Sequence, residues 1–260
     1  HQKNVGIVNR EVLYTLPYAT CDSVNYKNDS LRLMQKTHEF MHNVQLYRDK
    51  LPRRSADKCP ETRVRAAFVR QLRDSGNITE IPRSQVKGWV NFFTVVEFFK
   101  QRFRPIRETV DINVAWTKAD LETITFPTKK DLCNMVLAGD YFAAFDFAAY
   151  YDQFAYESGI SEFLCFRKKN KYYKTNRLCM GQRHGCQIAQ TTTLFLLDFP
   201  GRRCSTVYAY IDNVIFVGSR ADVEDDATAF VNRCQLANVT LNEADVIASN
   251  GIASCVQQKG

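Results

Sequence analysis

The sequence predicts an α+β fold, a small antiparallel sheet backed by helices, and three observations predict it. Apolar residues recur at helical spacing through much of the first hundred residues, and strand-like runs cluster after residue 140. The last strand-like stretch, Thr206–Ser219, holds two β-rich apolar runs, Val207–Ile211 and Val214–Val217, broken by one polar pair, Asp212-Asn213. Two such runs joined by two turn residues predict a β-hairpin. Helices first, then strand, helix, hairpin, helix and strand, is an α+β order.

The elements follow in sequence. Ser30–Leu51 carries Leu31, Leu33, Met34, His38, Met41, Val44 and Leu46 near helical spacing and stops at Pro52. Glu61–Ser75 predicts a second helix, closed by Ser75-Gly76-Asn77. Ser84–Gln101 predicts a third, with Val86, Val90, Phe92, Phe93, Val95, Val96 and Phe99 as a core-facing stripe. Arg102–Asn113 is short and extended, punctuated by Pro105. Thr128–Leu137 is amphipathic and stops at Ala138-Gly139, and Asp140–Phe147 follows as a strand. Phe163–Arg167 and Tyr172–Thr175 flank the turn Lys168–Lys171 as a basic hairpin. Gly185–Phe199 is apolar enough for a buried helix, and Ala221–Ala237 is amphipathic. Val239–Leu241 and Val246–Ile252 are candidate strands.

The totals set bounds. A chain of 260 residues forms one large domain or two small ones, and 45% hydrophobic with 24% charged residues excludes a disordered chain. The balance of 35 Lys+Arg against 28 Asp+Glu, net +7, leans toward polyanionic partners without specifying nucleic acid. No apolar run is long enough to span a bilayer, and the N-terminus lacks a signal-peptide pattern, so no membrane partner is expected. Since His1 is not a natural start, the chain reads as a fragment or a processed product. The nine cysteines are scattered, with Cys133, Cys165, Cys204 and Cys234 inside apolar stretches and no Cys-x-x-Cys pair. Reduced, intracellular thiols serving as small core residues are expected, in the nucleus, the cytoplasm or an organelle.

Chemistry enters with two carboxylates. Asp146 lies between Phe145 and Phe147 at the end of a strand-like run, and Asp212 lies at the hairpin tip. A charge in apolar surroundings is costly unless a partner meets it. Asp-Asn is ordinary turn chemistry, and a shared divalent-cation site is the other reading. Mg²⁺ suits the second, because it takes one or two carboxylates and completes its shell with water and phosphate oxygens.

Four stretches then carry a resemblance. Thr206–Ser219 resembles the catalytic hairpin of reverse transcriptases, which usually reads Tyr-x-Asp-Asp. Phe145–Phe154 resembles their first catalytic motif. Leu178–Gln190, with Gly181 and Gln190 nine residues apart, resembles their template- and nucleotide-contacting motif. Arg104–Asn113 resembles their fingers strand. The motif wording is closest to that of tyrosine-recombinase retroelements, DIRS-like and VIPER-like. The four stretches lie in family order and cover roughly residues 100–220.

The resemblance implies the fingers and palm of a right-hand polymerase without a thumb, with 1–139 as N-terminal extension and fingers and 140–260 as palm with some return to the fingers. It implies RNA-directed DNA synthesis: a primer 3′-hydroxyl attacks a dNTP, assisted by Mg²⁺, or Mn²⁺ in its place, held by Asp146 and Asp212, with Asn213 beside them. Arg104, Phe147, Tyr151, Gly181 and Gln190 would meet the nucleotide. Arg183, Lys168, Lys169 and Tyr210 would meet an RNA template and a DNA or RNA primer. Tyr151, five residues after Asp146, would exclude a 2′-hydroxyl; viral RNA polymerases place a carboxylate at that spacing. The thumb and any ribonuclease domain would belong to a longer chain.

Three departures are visible. Asn213 replaces the second hairpin Asp, Cys186 replaces the usual Pro of the middle motif, and Asn238–Ser249 lacks a Lys that often acts as general acid. Asn213, the missing Lys and the missing thumb favour a competing reading, a polymerase-derived module that binds RNA or a protein partner without catalysis.

Overall fold

The computed structural model describes residues 4–19, 29–47, 49–110, 112–115, 124, 126–204, 207–242 and 245–248. The order is α1 (Arg10–Leu13), α2 (Ser30–His42), α3 (Val44–Tyr47), α4 (Ala66–Asp74), β1 (Ile78–Ile81), β2 (Asn91–Glu97), β3 (Arg102–Glu108), α5 (Lys129–Ala138) and β4 (Tyr141–Asp146). Then come α6 (Ser158–Ser161), β5 (Cys165–Lys168), β6 (Lys171–Thr175), α7 (Gly185–Leu197), β7 (Val207–Tyr210), β8 (Asn213–Gly218), α8 (Arg220–Leu236) and β9 (Asp245–Ala248). The architecture is mixed α and β, with small antiparallel sheets ordered β1-β6-β5, β2-β3 and β7-β8-β4-β9. Among the described residues, no helix is long and apolar enough to cross a membrane.

The chain divides into two compact units, each discontinuous in sequence. One comprises His1–Val5, His38–Leu121 and Tyr151–Cys186; the other comprises Gly6–Thr37, Glu122–Tyr150 and Gln187–Gly260.

In the first unit, α4 packs Val69 and Leu72 against Ile78, Phe92, Phe166 and Tyr173. The helix begins at Ala66, later than the pattern from Glu61 predicts. Residues 61 and 62 are drawn out beside β5 instead: Glu61 bridges Arg167, and the Thr62 amide donates to the Arg167 carbonyl at 2.8 Å.

The largest correction falls on Ser84–Gln101, where a helix was expected. Asn91–Glu97 is a strand paired in full register with β3, flanked by the short 3₁₀ turns Arg83–Gln85 and Phe98–Lys100. Its apolar residues do not all face a core. Val86, Val90 and Phe92 are buried, whereas Phe93, Val95, Val96 and Phe99 are exposed. The run Phe-Phe-Thr-Val-Val is aromatic and β-branched, which favours a pleated surface, and β3 supplies the ladder. Periodicity read along one segment cannot show a partner strand.

The second unit is built on the four-stranded sheet. α5 starts at a capping box: Thr128 accepts from the Asp131 amide (3.2 Å), and Asp131 accepts from the Thr128 amide (2.8 Å). It stops before Gly139, whose backbone is extended. Gly is needed there for space, because a Cβ would collide with Cγ1 of Val217. Phe142–Phe145 of β4 are all buried, with helical residues packed on the strand. Leu132 and Met135 of α5 meet Phe142, Ala144, Ile215 and Val217. Elsewhere Phe230 of α8 meets Phe145 at 5.4 Å and Phe216 at 5.7 Å. Each such buried ring contributes on the order of 2 kcal/mol.

α7 is nearly all buried, as its composition predicts, and its last carbonyls need donors. Arg233 supplies them, donating to Phe195 (2.8 Å) and Leu196 (3.0 Å). Leu241 makes one bridge to Phe147, and β9 occupies part of the predicted final strand, whose residues 249–252 lie outside the described ones. Cys59, Cys165, Cys179, Cys204 and Cys234 are buried free thiols, as expected of small core residues. Burial pushes Cys59 and Cys179 up to about 11. Cys133 departs from that expectation and is exposed, as is Cys186.

Candidate active site

The site is built from one strand end and one turn. β4 carries Asp146 at its last position, and antiparallel pairing with β8 sets Asp146 opposite Asn213. Tyr210 pairs with Asn213 across the hairpin, so the two turn residues are Ile211 and Asp212. The sequence places the turn one residue later, at Asp212-Asn213, and this is a correction: Asn213 begins the strand. The Phe147 amide donates to the Asp212 carbonyl at 2.9 Å, tying the loop after β4 to the turn. Asp212 is exposed; Asp146 and Asn213 are half-buried.

The turn is held from behind by α7. Ile211 has φ +52°, a left-handed conformation that a β-branched side chain resists at a cost of roughly 1–3 kcal/mol. Both of its backbone groups are fastened. Its N–H donates to Gln190 Oε1 at 2.6 Å, and its carbonyl accepts from the Thr193 hydroxyl at 2.6 Å. Gln190 Nε2 donates to the Ala209 carbonyl at 2.9 Å. Gln190 is fully buried, so its amide is spent on aiming the hairpin. The resemblance implies a nucleotide contact for Gln190; in the structure it grips the turn that carries Asp212.

Phe147 is buried and stacks on Tyr150, centroids 4.1 Å apart and planes 11° apart. Tyr210 stays 42% exposed and meets Phe126 edge-on at 5.7 Å. Asp146, Phe147, Gln190, Tyr210, Asp212 and Asn213 thus lie together in the second unit.

The other six expected residues lie in the first unit. Arg104 on β3 reaches Glu97 at 3.1 Å, and Glu97 also accepts from Arg102 at 2.5 Å. The Arg102 hydrogen bond, helped by the charges of Arg104 and Lys100, holds the Glu97 carboxyl below its usual range against burial. Tyr151 donates to Cys186 Sγ at 3.3 Å. Gly181 and Arg183 are exposed. Lys168 Nζ donates to the Thr62 carbonyl at 3.4 Å, and Lys169 sits on the β5–β6 turn with φ +54°.

Asn113 has a part that its sequence position alone does not assign. Its Nδ2 donates to the Gly181 carbonyl (3.0 Å), and its Oδ1 accepts from the Arg183 amide (2.8 Å) and the Thr109 hydroxyl (3.3 Å). One side-chain amide therefore fixes both ends of the Gly181–Arg183 loop. A Cβ at Gly181 would come within 3.2 Å of the Arg107 carbonyl and 3.5 Å of the Thr109 hydroxyl, so this loop passes close to the end of β3. Asn113 ends the Arg104–Asn113 stretch that carries part of the resemblance; its hydrogen-bonding partners were not legible in the sequence.

The donor chemistry suits an open cation site. Two carboxylates at a sheet end, with Asn213 Nδ2 donating to Asp212 Oδ1 at 3.5 Å, leave most of a hard cation's shell to water and phosphate, the manner in which Mg²⁺ is usually held. Among the described residues, no group of three or more His, Cys, Asp and Glu is placed to hold a metal, which sets aside a closed protein cage there. No protein-family model and no curated protein matches the chain.

Proposed function

We propose that this chain is the fingers and palm part of an RNA-directed DNA polymerase, extending a primer 3′-hydroxyl with dNTPs. The observation that carries this reading is the β4–β8 register, which brings the strand-end carboxylate Asp146 beside the turn bearing Asp212. A β-hairpin that keeps a strained apolar residue at its turn, and fastens both its backbone groups, is aiming the next side chain. That side chain is Asp212.

In this reading Asp146 and Asp212 hold the Mg²⁺, and Asn213 adds an amide oxygen without charge. The bound cation supplies charge neutralisation at the attacking hydroxyl and the departing pyrophosphate. The protein's own work is positioning. Gln190 and Thr193 set the Asp212 turn, the Phe147 amide locks it to the loop after β4, and Asn113 sets the Gly181–Arg183 loop. Tyr151 selects against a 2′-hydroxyl, and Arg104 leaves a half-buried pair with Glu97, worth about 1 kcal/mol or less, to meet phosphate. Primer, RNA template and dNTP are the partners, and the 139/140 boundary between fingers and palm belongs to the same reading.

Primer extension on an RNA template with Mg²⁺ or Mn²⁺ tests it. The wild-type chain is expected to extend the primer with dNTPs, and D146N to abolish extension while keeping the fold. Absence of extension with RNA still bound would replace this reading by the non-catalytic module, which Asn213 already favours; N213D would then show whether that single charge is what is missing.

A further inference from the structure

In an antiparallel ladder, successive residues point their N–H and C=O alternately to the two sides of a strand. On the side of β2 away from β3, Val90 donates its N–H to the Cys165 carbonyl at 2.8 Å, and the Phe92 carbonyl accepts from the Thr62 hydroxyl at 2.7 Å. Thr94 and Val96 are the next two residues that face that side. Among the described residues, no strand pairs with β2 there and no hydrogen bond is made by the N–H or C=O of either. The outer edge of β3 is different: Pro105, opposite Thr94, has no N–H and interrupts it. Phe93, Val95, Val96, Phe98, Phe99 and Phe103 are each at least 42% exposed. Residues paired across a ladder share a face, so Phe93 and Val95 lie on one face, and Val96 with its partner Phe103 on the other. With apolar residues on both faces, the edge between them is the place where one occupant covers both.

We propose that β2 pairs edge to edge with β2 of a second copy of this chain, antiparallel about a two-fold axis at Val95. Thr94 then lies opposite the partner's Val96, and each such pair exchanges both of its N–H···O bonds. Val95 meets the partner's Val95 in the close pair between them, and Phe93 meets the partner's Glu97, so no like charges face each other. This register starts beyond Phe92, whose carbonyl Thr62 already holds. The exposed side chains offer roughly 600 Å² of apolar surface per copy, at 150–250 Å² for a full aromatic side chain. A stable interface takes about 800 Å² per partner, so edge backbone and flanking polar residues supply the remainder. The two-fold axis closes the assembly, and Pro105 keeps the outer β3 edges from adding a third chain. A lipid surface fits less well, because the Thr94 and Val96 backbone groups would enter it unpaired. The pairing does not depend on the polymerase reading.

Sedimentation equilibrium of the whole chain, without nucleic acid or divalent cation, reads the stoichiometry. The wild type is expected to be a dimer that dissociates in the micromolar range. T94P removes an outward N–H and leaves the β2–β3 ladder intact, so it should raise the dissociation constant roughly thirtyfold, as two ordinary hydrogen bonds would carry. V95E sets like charges opposite each other at the axis, while Arg104 across β3 can meet the carboxylate within one copy. It should also yield monomer, with the dimer partly restored at high salt. Urea midpoints close to that of the wild-type monomer check that both variants fold. Under mild oxidation V95C should form an intermolecular disulfide at position 95, located by peptide mapping, because Cα atoms in such a pair lie about 4.5 Å apart. A wild type that stays monomeric at every concentration, or dimers that survive both T94P and V95E, overturns the pairing, and a missing cross-link overturns its register. A monomer that floats with phosphatidylserine vesicles, and no longer does so as F98S/F99S, overturns it in favour of a lipid surface.

Discussion

Val207–Gly218 and Asn91–Glu108 are both antiparallel hairpins rich in aromatic and β-branched residues, yet they end in opposite environments. In the first, β8 is paired on both sides, by β7 and β4, and Val214–Val217 are buried. In the second, β2 and β3 form a two-stranded sheet, and Phe93, Val95, Val96, Phe98, Phe99 and Phe103 are exposed. The turns differ in the same way. The Ile211-Asp212 turn is fastened by Gln190 and Thr193 from α7, whereas the Phe98–Gln101 tip closes on itself, with the Gln101 amide donating to the Phe98 carbonyl at 3.3 Å. Apolar composition therefore does not decide burial here. A hairpin becomes rigid enough to aim a turn side chain such as Asp212 when other elements cover its face and hold its turn, and isolated two-stranded hairpins lack both.

The comparison breaks most readily at Gln190. Q190A strands the Ile211 amide and the Ala209 carbonyl and leaves a small cavity, so about 3 kcal/mol of stability should be lost. Urea unfolding at unchanged m-value reads this, and primer extension should vanish with it. Q190E keeps the acceptor for Ile211 and should fall between. An unchanged midpoint in Q190A would mean that the turn holds its conformation unaided.

Ile211 sharpens the point at a smaller scale. Asn tolerates the left-handed region, so I211N should raise stability by about 0.5–1 kcal/mol. A lower midpoint would show that the packing of the Ile211 side chain outweighs the strain it stores.

At the exposed hairpin the effects should be smallest. The Glu97 carboxyl is held below its usual range, so its pairing with Arg102 and Arg104 stabilises the fold above the unfolded carboxylate value, about 4.3, and is lost as pH falls through the folded value. E97Q should flatten that acid limb, by well under 1 kcal/mol because the pair is solvent-screened. A shift as large as that of Q190A would mean that this hairpin is as firmly held as the first.

Much of the frame was legible because its signals are local. Thr128 and Asp131 announce α5, Ser219 caps α8 by accepting from the Asp222 amide, and Lys169-Asn170 turns the basic hairpin between β5 and β6. The two carboxylates were found for a similar reason: a lone Asp in an apolar run is conspicuous wherever the strand goes.

By itself the sequence determined the α+β class, most strand and helix positions after residue 128, and the residue types at the candidate site. Tertiary structure decided the rest. Asn91–Glu97 became a strand because Arg102–Glu108 pairs with it; Phe93, Val95 and Val96 stay exposed, and among the described residues that sheet holds two strands. The turn moved to Ile211-Asp212, against local preference, because α7 holds both backbone groups of Ile211. Gln190 and Asn113 became positioning residues through partners as far as 21 and 70 residues away in the chain. A hydrogen-bond partner that distant leaves no mark on local spacing, and only the folded chain brings it within reach.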